Sequence, residues 1–205
     1  MQKISFILAA TVFALTLSGC KVNGTASVPP SDATPAIVTA PAATKTSDAV
    51  AEQPGAAAIE WLTIEQAAAK QQHEPRKLVI DVYTDWCGWC KKMDKTTFKD
   101  PAVAAYINAH YYAVKLDAEG KDPITLNGQT YTYNPEYKLH ELAIALLNGQ
   151  PSFPTTVYLD ENMKMLSPVP GYMEAPAFAQ ILLYFGDNHY KTSSFEDFAK
   201  GSEGK

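Results

Sequence analysis

The chain is short of cysteine, of basic charge and of clustered histidine, and each shortage excludes a class of protein. Three cysteines among 205 residues cannot build a disulfide framework, and their odd number leaves at least one to be explained separately. Seventeen lysines and arginines stand against 22 aspartates and glutamates, a formal charge of −5. No basic stripe is therefore available to neutralise phosphates, and nucleic acid is excluded as the main partner. The imbalance is too mild, and the apolar content of 46% too high, for a chain disordered throughout. His73, His110, His140 and His189 are scattered and there is a single C-x-x-C, so nothing completes a structural zinc site. The N-terminal apolar run, Ile4 to Leu17, is shorter than the ~20 residues that cross a bilayer.

That run follows Lys3 and has the length and flanks of a secretory signal. It ends in Leu17-Ser18-Gly19-Cys20, which resembles the lipobox of bacterial lipoproteins. The resemblance implies a signal peptide at residues 1–19, cleavage before Cys20, and lipid on the Cys20 sulfur and its new amine. Small residues at 18 and 19 fit a peptidase cleft, and only a thiol at 20 forms the thioether. Lys21 stands where inner-membrane lipoproteins of enteric bacteria carry Asp, which favours the outer membrane in a Gram-negative cell. Residues 20–57 are then a tether rich in Ala, Pro, Thr and Ser, interrupted by Pro29, Pro30, Pro35, Pro41 and Pro54. Such a segment buries too little apolar area to offset its ordering entropy. Extended as polyproline II at ~3.1 Å per residue, it reaches on the order of 110 Å.

The folded part is expected over residues 58–205. Thr63 to Gln66 is a capping-box pattern that opens a helix, which Pro75 closes. Lys77 to Tyr83 is a near-continuous apolar run, as in a strand covered on both faces; Asp81 breaks it, and a carboxyl there is costly unless paired or protonated. The strand leads into Trp86-Cys87-Gly88-Trp89-Cys90-Lys91, a C-x-x-C at the start of a helix. There the first cysteine meets unpaired backbone N–H groups that stabilise a thiolate. The second lies one turn on, and Gly88 supplies backbone freedom between them. Asp100-Pro101 reads as an N-cap with proline at the first helical position. Further on come a strand at 111–116 with Lys115 embedded in it, an Asn127-Gly128 hairpin, a helix at 140–147, a strand at 152–159, a short strand from Met165, and helices at 176–184 and 194–200.

Together these features resemble the thioredoxin superfamily. Trp86 to Lys91 matches its W-C-G-P-C-K, Asp81 its buried aspartate, Lys115 the neighbouring lysine, and Phe153-Pro154-Thr155 the segment whose proline is cis and faces the disulfide. The nearest flavour is the set of exported bacterial proteins with a W-C-x-W-C-K-K-M site. The resemblance implies an α/β thioredoxin-like fold, a central mixed sheet flanked by helices, here with a hairpin insertion at 121–135 and a C-terminal extension at 187–205. It implies a thiol-disulfide oxidoreductase in which Cys87 is the exposed nucleophile and Cys90 resolves the mixed disulfide. Asp81 takes the Cys90 proton through a water, and Lys115 moderates its raised pKa. Trp86, Gly88, Trp89, Phe153 and Pro154 form the substrate surface.

No cofactor is expected beyond the Cys87–Cys90 disulfide, and no metal. The frame favours a protein-disulfide reductase outside the cytoplasm, lipid-anchored and periplasmic, serving disulfide-bearing exported proteins and drawing electrons from a membrane thiol donor. The alternatives are an oxidase or isomerase for secreted proteins, and a binding or assembly module without turnover. Trp89, in place of thioredoxin's proline, leaves the direction of electron flow open.

Overall fold

The computed structural model describes residues 58–202; the expected signal peptide, Cys20 and the tether lie outside the described residues. In chain order the elements are β1 (Trp61–Leu62), α1 (Ile64–Gln71), β2 (Lys77–Tyr83), α2 (Gly88–Lys95), α3 (Pro101–His110), β3 (Tyr111–Asp117), β4 (Ile124–Leu126) and β5 (Gln129–Tyr131). After them come β6 (Tyr133–Asn134), β7 (Leu139–His140), α4 (Glu141–Leu146), β8 (Thr155–Leu159), β9 (Met165–Pro170), α5 (Ala175–Gly186) and α6 (Phe195–Ser202). Five strands form one mixed sheet in the order β1-β3-β2-β8-β9, with β1, β3 and β2 parallel and β8 and β9 antiparallel.

β2 is the central strand, and its alternation explains why it is apolar on both faces. Leu78, Ile80 and Val82 point into a cluster with Ile64 and Ala67 of α1 and Leu142 of α4. Val79 points the other way, against Met93 of α2, Ile107 of α3, and Phe178 and Leu182 of α5. Complete burial of a side chain such as Phe178 stabilises by about 1.5–3 kcal/mol. Asp81 stands two residues from Val79 and so shares the face that carries α2, opposite Lys115 of β3 in the ladder.

The helix starts follow their local chemistry. The Thr63 hydroxyl accepts from the Gln66 N–H at 3.2 Å, and the Gln66 side chain accepts from the Thr63 N–H at 2.9 Å, a complete capping box. Asp100 caps α3 by accepting from the Ala102 and Val103 N–H groups, with Pro101 at its first position. His140 is buried and caps α4: its Nδ1 accepts from the Leu142 N–H, and its Nε2 lies 3.2 Å from the Asp122 carbonyl. The hairpin of β4 and β5 turns at Asn127 and Gly128, both with positive φ (52° and 78°), which suits their residue types.

Candidate active site

The C-terminal end of β2 delivers Cys87 to the start of α2, where it is the N-cap residue. Its N–H donates to the Thr84 carbonyl at 3.1 Å, and its Sγ accepts from the Cys90 N–H at 3.0 Å. Cys87 and Cys90 are joined as a disulfide, their Cα atoms 5.3 Å apart. Cys87, expected to be exposed, is only 4% exposed in this form, against 2% for Cys90. The Cys87 sulfur is bonded to that of Cys90, which is buried in the first turn of α2. Gly88, read as a source of backbone freedom, holds a helical conformation, and a Cβ there would meet nothing within 4 Å. The site is therefore open enough to take a side chain.

The opposite wall comes from the segment before β8. The Phe153–Pro154 bond is cis, and the Pro154 carbonyl accepts from the Gly171 N–H at 2.8 Å. Gly171 has φ +101°, a conformation that favours glycine, and so folds the chain after β9 back toward Pro154. The main chain of Phe153, outside any strand, takes no hydrogen-bond partner among the described residues. Trp89, Phe153, Pro154, Gly171 and Tyr172 line a groove of about 330 Å³. Trp86 and Trp89 stand out from the surface, 67% and 57% exposed. Trp86 meets Phe153 edge-on at 6.0 Å, and Trp89 lies against Tyr172 at 5.3 Å.

A charged triplet joins β2, β3 and α2. The Lys115 Nζ donates to Asp81 Oδ2 at 2.7 Å and to Asp94 of α2. It also sits over the rings of Trp61, Tyr83 and Phe98 at 4.8, 5.1 and 5.0 Å. Asp81 is 1% exposed, and its Oδ1 has no hydrogen-bond partner among the described residues. Burial raises its pKa above the ordinary carboxylate value; Lys115 opposes the rise and Asp94 adds to it. Burial works against the Lys115 ammonium, but the two carboxylates outweigh it, and the lysine pKa is raised.

Of the expected site residues, Cys87 and Cys90 are bonded with Gly88 and Trp89 between them in sequence, Asp81 pairs with Lys115, Trp86 meets Phe153, and Trp89 lines the groove with Phe153 and Pro154. Three partners were not foreseen. Asp94 lies four residues beyond Cys90, one turn further along α2, and that spacing was the available signal. Tyr172 and Lys92 join Trp89 in an aromatic-cationic wall, with the Lys92 Nζ 4.9 Å from the Trp89 ring and 4.5 Å from that of Tyr172. No local pattern announces the contact with Tyr172. Among the described residues, no group of three or more His, Cys, Asp or Glu is arranged to hold a metal ion, and no helix is long and apolar enough to cross a membrane.

A buried cysteine pair bonded at a helix start, a cis-proline ahead of an antiparallel strand, and a mixed sheet flanked by helices are the features of a thioredoxin-like domain. Residues 63–186 match that family, and the chain belongs to it. It is 28% identical over 126 residues to the thiol:disulfide interchange protein DsbD of Photorhabdus laumondii, covering 60% of this chain and 18% of that protein. It is 32% identical over 113 residues to DsbD of Pectobacterium atrosepticum, 54% of this chain and 17% of that protein. The chain thus spans less than a fifth of the length of these relatives. Among solved structures it resembles the DsbH oxidoreductase, with a TM-score of 0.49 and 18% identity over 68% of this chain and 92% of that one.

Proposed function

We propose that the protein is a reductase of protein disulfides outside the cytoplasm, working through Cys87 and Cys90. The observation that carries the reading is the Cys87–Cys90 disulfide at the N-terminus of α2, beside the groove at Pro154. The name of the matched relatives, thiol:disulfide interchange protein, supports exchange as the chemistry.

In the reduced protein, the N–H of Cys90 that now meets the Cys87 sulfur would hold a thiolate there. That thiolate attacks one sulfur of a partner disulfide. A mixed disulfide forms, and the other partner sulfur leaves as a thiolate. Cys90 then loses its proton, with Asp81 as the acceptor through a water, and attacks the Cys87 sulfur. The Cys87–Cys90 bond forms and the partner leaves with both sulfurs reduced, two electrons having passed to it. Lys115 keeps the Asp81 carboxyl from rising further. Phe153 offers its unpaired main chain to a partner strand, and Trp86 and Trp89 supply apolar contact. Two electrons from a membrane dithiol would return the protein to its reduced state.

The direction rests on the Trp-Cys-Gly-x-Cys-Lys frame and on the absence of a histidine before Cys90, a residue that would stabilise the thiolate and strengthen an oxidant. Equilibration with a glutathione buffer tests it. A potential near or below about −250 mV fits a reductase, and one near about −120 mV would make the protein an oxidase. The lipid anchor at Cys20 and an outer-membrane address belong to the same proposal. Labelled fatty acid should enter the wild type and not Cys20→Ala, and label in both would remove the anchor.

A further inference from the structure

The rim of the groove is lopsided in charge. Residues 88–99 carry Lys91, Lys92, Lys95 and Lys99 against one acid, Asp94, whose carboxylate Lys115 already holds. None of those four lysines forms an ion pair among the described residues. On a chain of net charge −5 this is a local excess of positive charge on the helix that begins at the redox site. Lys92 is the member nearest the groove. Its ammonium is stationed over the faces of Trp89 and Tyr172 rather than swinging free. Tyr172 lines the groove at Pro154 and also a second hollow of about 430 Å³, shared with Lys92, Thr96, Lys99, Asp100 and Glu174, so it borders both. Asp100 is committed to capping α3; Glu174 is the remaining acid there, opposite two lysines.

We infer that Lys92, held on the Trp89–Tyr172 wall, is a specificity residue that takes a carboxylate of the disulfide partner. The favoured partner segment then carries Asp or Glu close to its reactive cysteine. This rests on the exchange reading above and adds a substrate class to it. A segment lying in the groove and paired with Phe153 extends past Trp89 toward Lys92, where an acidic side chain meets a preplaced, unpaired ammonium. Such a rim contact acts on encounter rate and salt dependence more than on the chemical step.

The test uses two disulfide-linked peptides that differ only in Glu against Gln beside the cysteine. The reduced full chain is mixed with each, and the second-order rate of its oxidation is followed by tryptophan fluorescence. The wild type should react about 1.5-fold to fivefold faster with the Glu peptide at low ionic strength, the range of one exposed charge pair. Raised salt should bring that ratio toward one. Lys92→Gln should bring it toward one at low salt, and Lys92→Glu should invert it. Lys164→Gln removes the same charge after β8, at the end of that strand away from Pro154, and should leave the ratio as in the wild type. A wild-type ratio of one, or a ratio that Lys92→Gln does not move, overturns the inference and leaves exchange standing. If neither peptide oxidises the reduced protein, the exchange reading itself fails and takes this one with it.

Discussion

Replacing Lys115 with methionine strips the counter-ion from a carboxylate that has almost no access to water. Asp81 is 1% exposed, and among the described residues its Oδ1 has no partner and its Oδ2 is held by the Lys115 ammonium alone. Methionine keeps most of the aliphatic packing against Trp61, Tyr83 and Phe98 while removing the charge. Breaking a buried pair from one side costs about 3–5 kcal/mol, because a charge is left uncompensated. Asp94, the other partner of Lys115, is partly exposed and turns to solvent, so it adds little.

The loss should depend on pH. The folded-state pKa of Asp81 is raised, mainly by burial. Its contribution to stability is therefore complete below the unfolded carboxylate value of about 3.9 and declines as pH rises through the folded value. Without Lys115 the folded value climbs further, so the decline continues to higher pH, by up to about 1.4 kcal/mol per pH unit for one proton. Urea unfolding of the oxidised protein, followed by circular dichroism, should show Lys115→Met less stable than wild type by about 3–5 kcal/mol near pH 8. Near pH 3 the gap should shrink to about 1 kcal/mol, because Asp81 is then largely protonated in the variant whether folded or unfolded. Adding Asp81→Asn to Lys115→Met should recover most of the loss near pH 8, since the buried charge is gone. A gap of equal size at both pH values, or no recovery in the double variant, would refute the reasoning.

Two further substitutions probe the frame around the site. Thr63→Ala removes the hydroxyl half of the α1 capping box and should cost about 1 kcal/mol in the same urea assay, with Thr63→Ser close to wild type; equal stability of all three would show that the cap contributes nothing. Gly186→Ala places a Cβ against the Tyr106 ring and hydroxyl at the end of α5, forcing that ring off its 2.8 Å hydrogen bond with Asp187. The expected loss is about 1–3 kcal/mol, and Tyr106→Phe in the same background should not deepen it by more than about 1 kcal/mol.

Much of the fold is visible in residue order because local chemistry and tertiary outcome agree. β2 has the bounds of its apolar run, the caps at Thr63 and Asp100 close on the groups their spacing implies, and the Asn127-Gly128 turn lies in the hairpin. What escaped depends on distant chain. β1 has two residues, too few for any periodicity, and exists because β3 offers an edge to pair with. Tyr172 joins Trp89 only because the chain turns at Gly171. Asp94 looks like one more solvated charge in a lysine-rich helix until α2 lies across β3 and brings it to Lys115. The burial of Cys87 could not be read from its position at a helix start, since it depends on the chain packed around that start.

The central claim is that Cys87 attacks and Cys90 resolves, and one experiment separates the two steps. Reduced wild type, Cys87→Ser and Cys90→Ser are each mixed with a disulfide-linked peptide and examined by intact-protein mass spectrometry. The account predicts free peptide thiol and an oxidised chain from the wild type, a one-to-one adduct at Cys87 from Cys90→Ser, and no reaction from Cys87→Ser within the same time. An adduct on Cys90 of the Cys87→Ser variant, formed as fast as that on Cys87 of the Cys90→Ser variant, would contradict it.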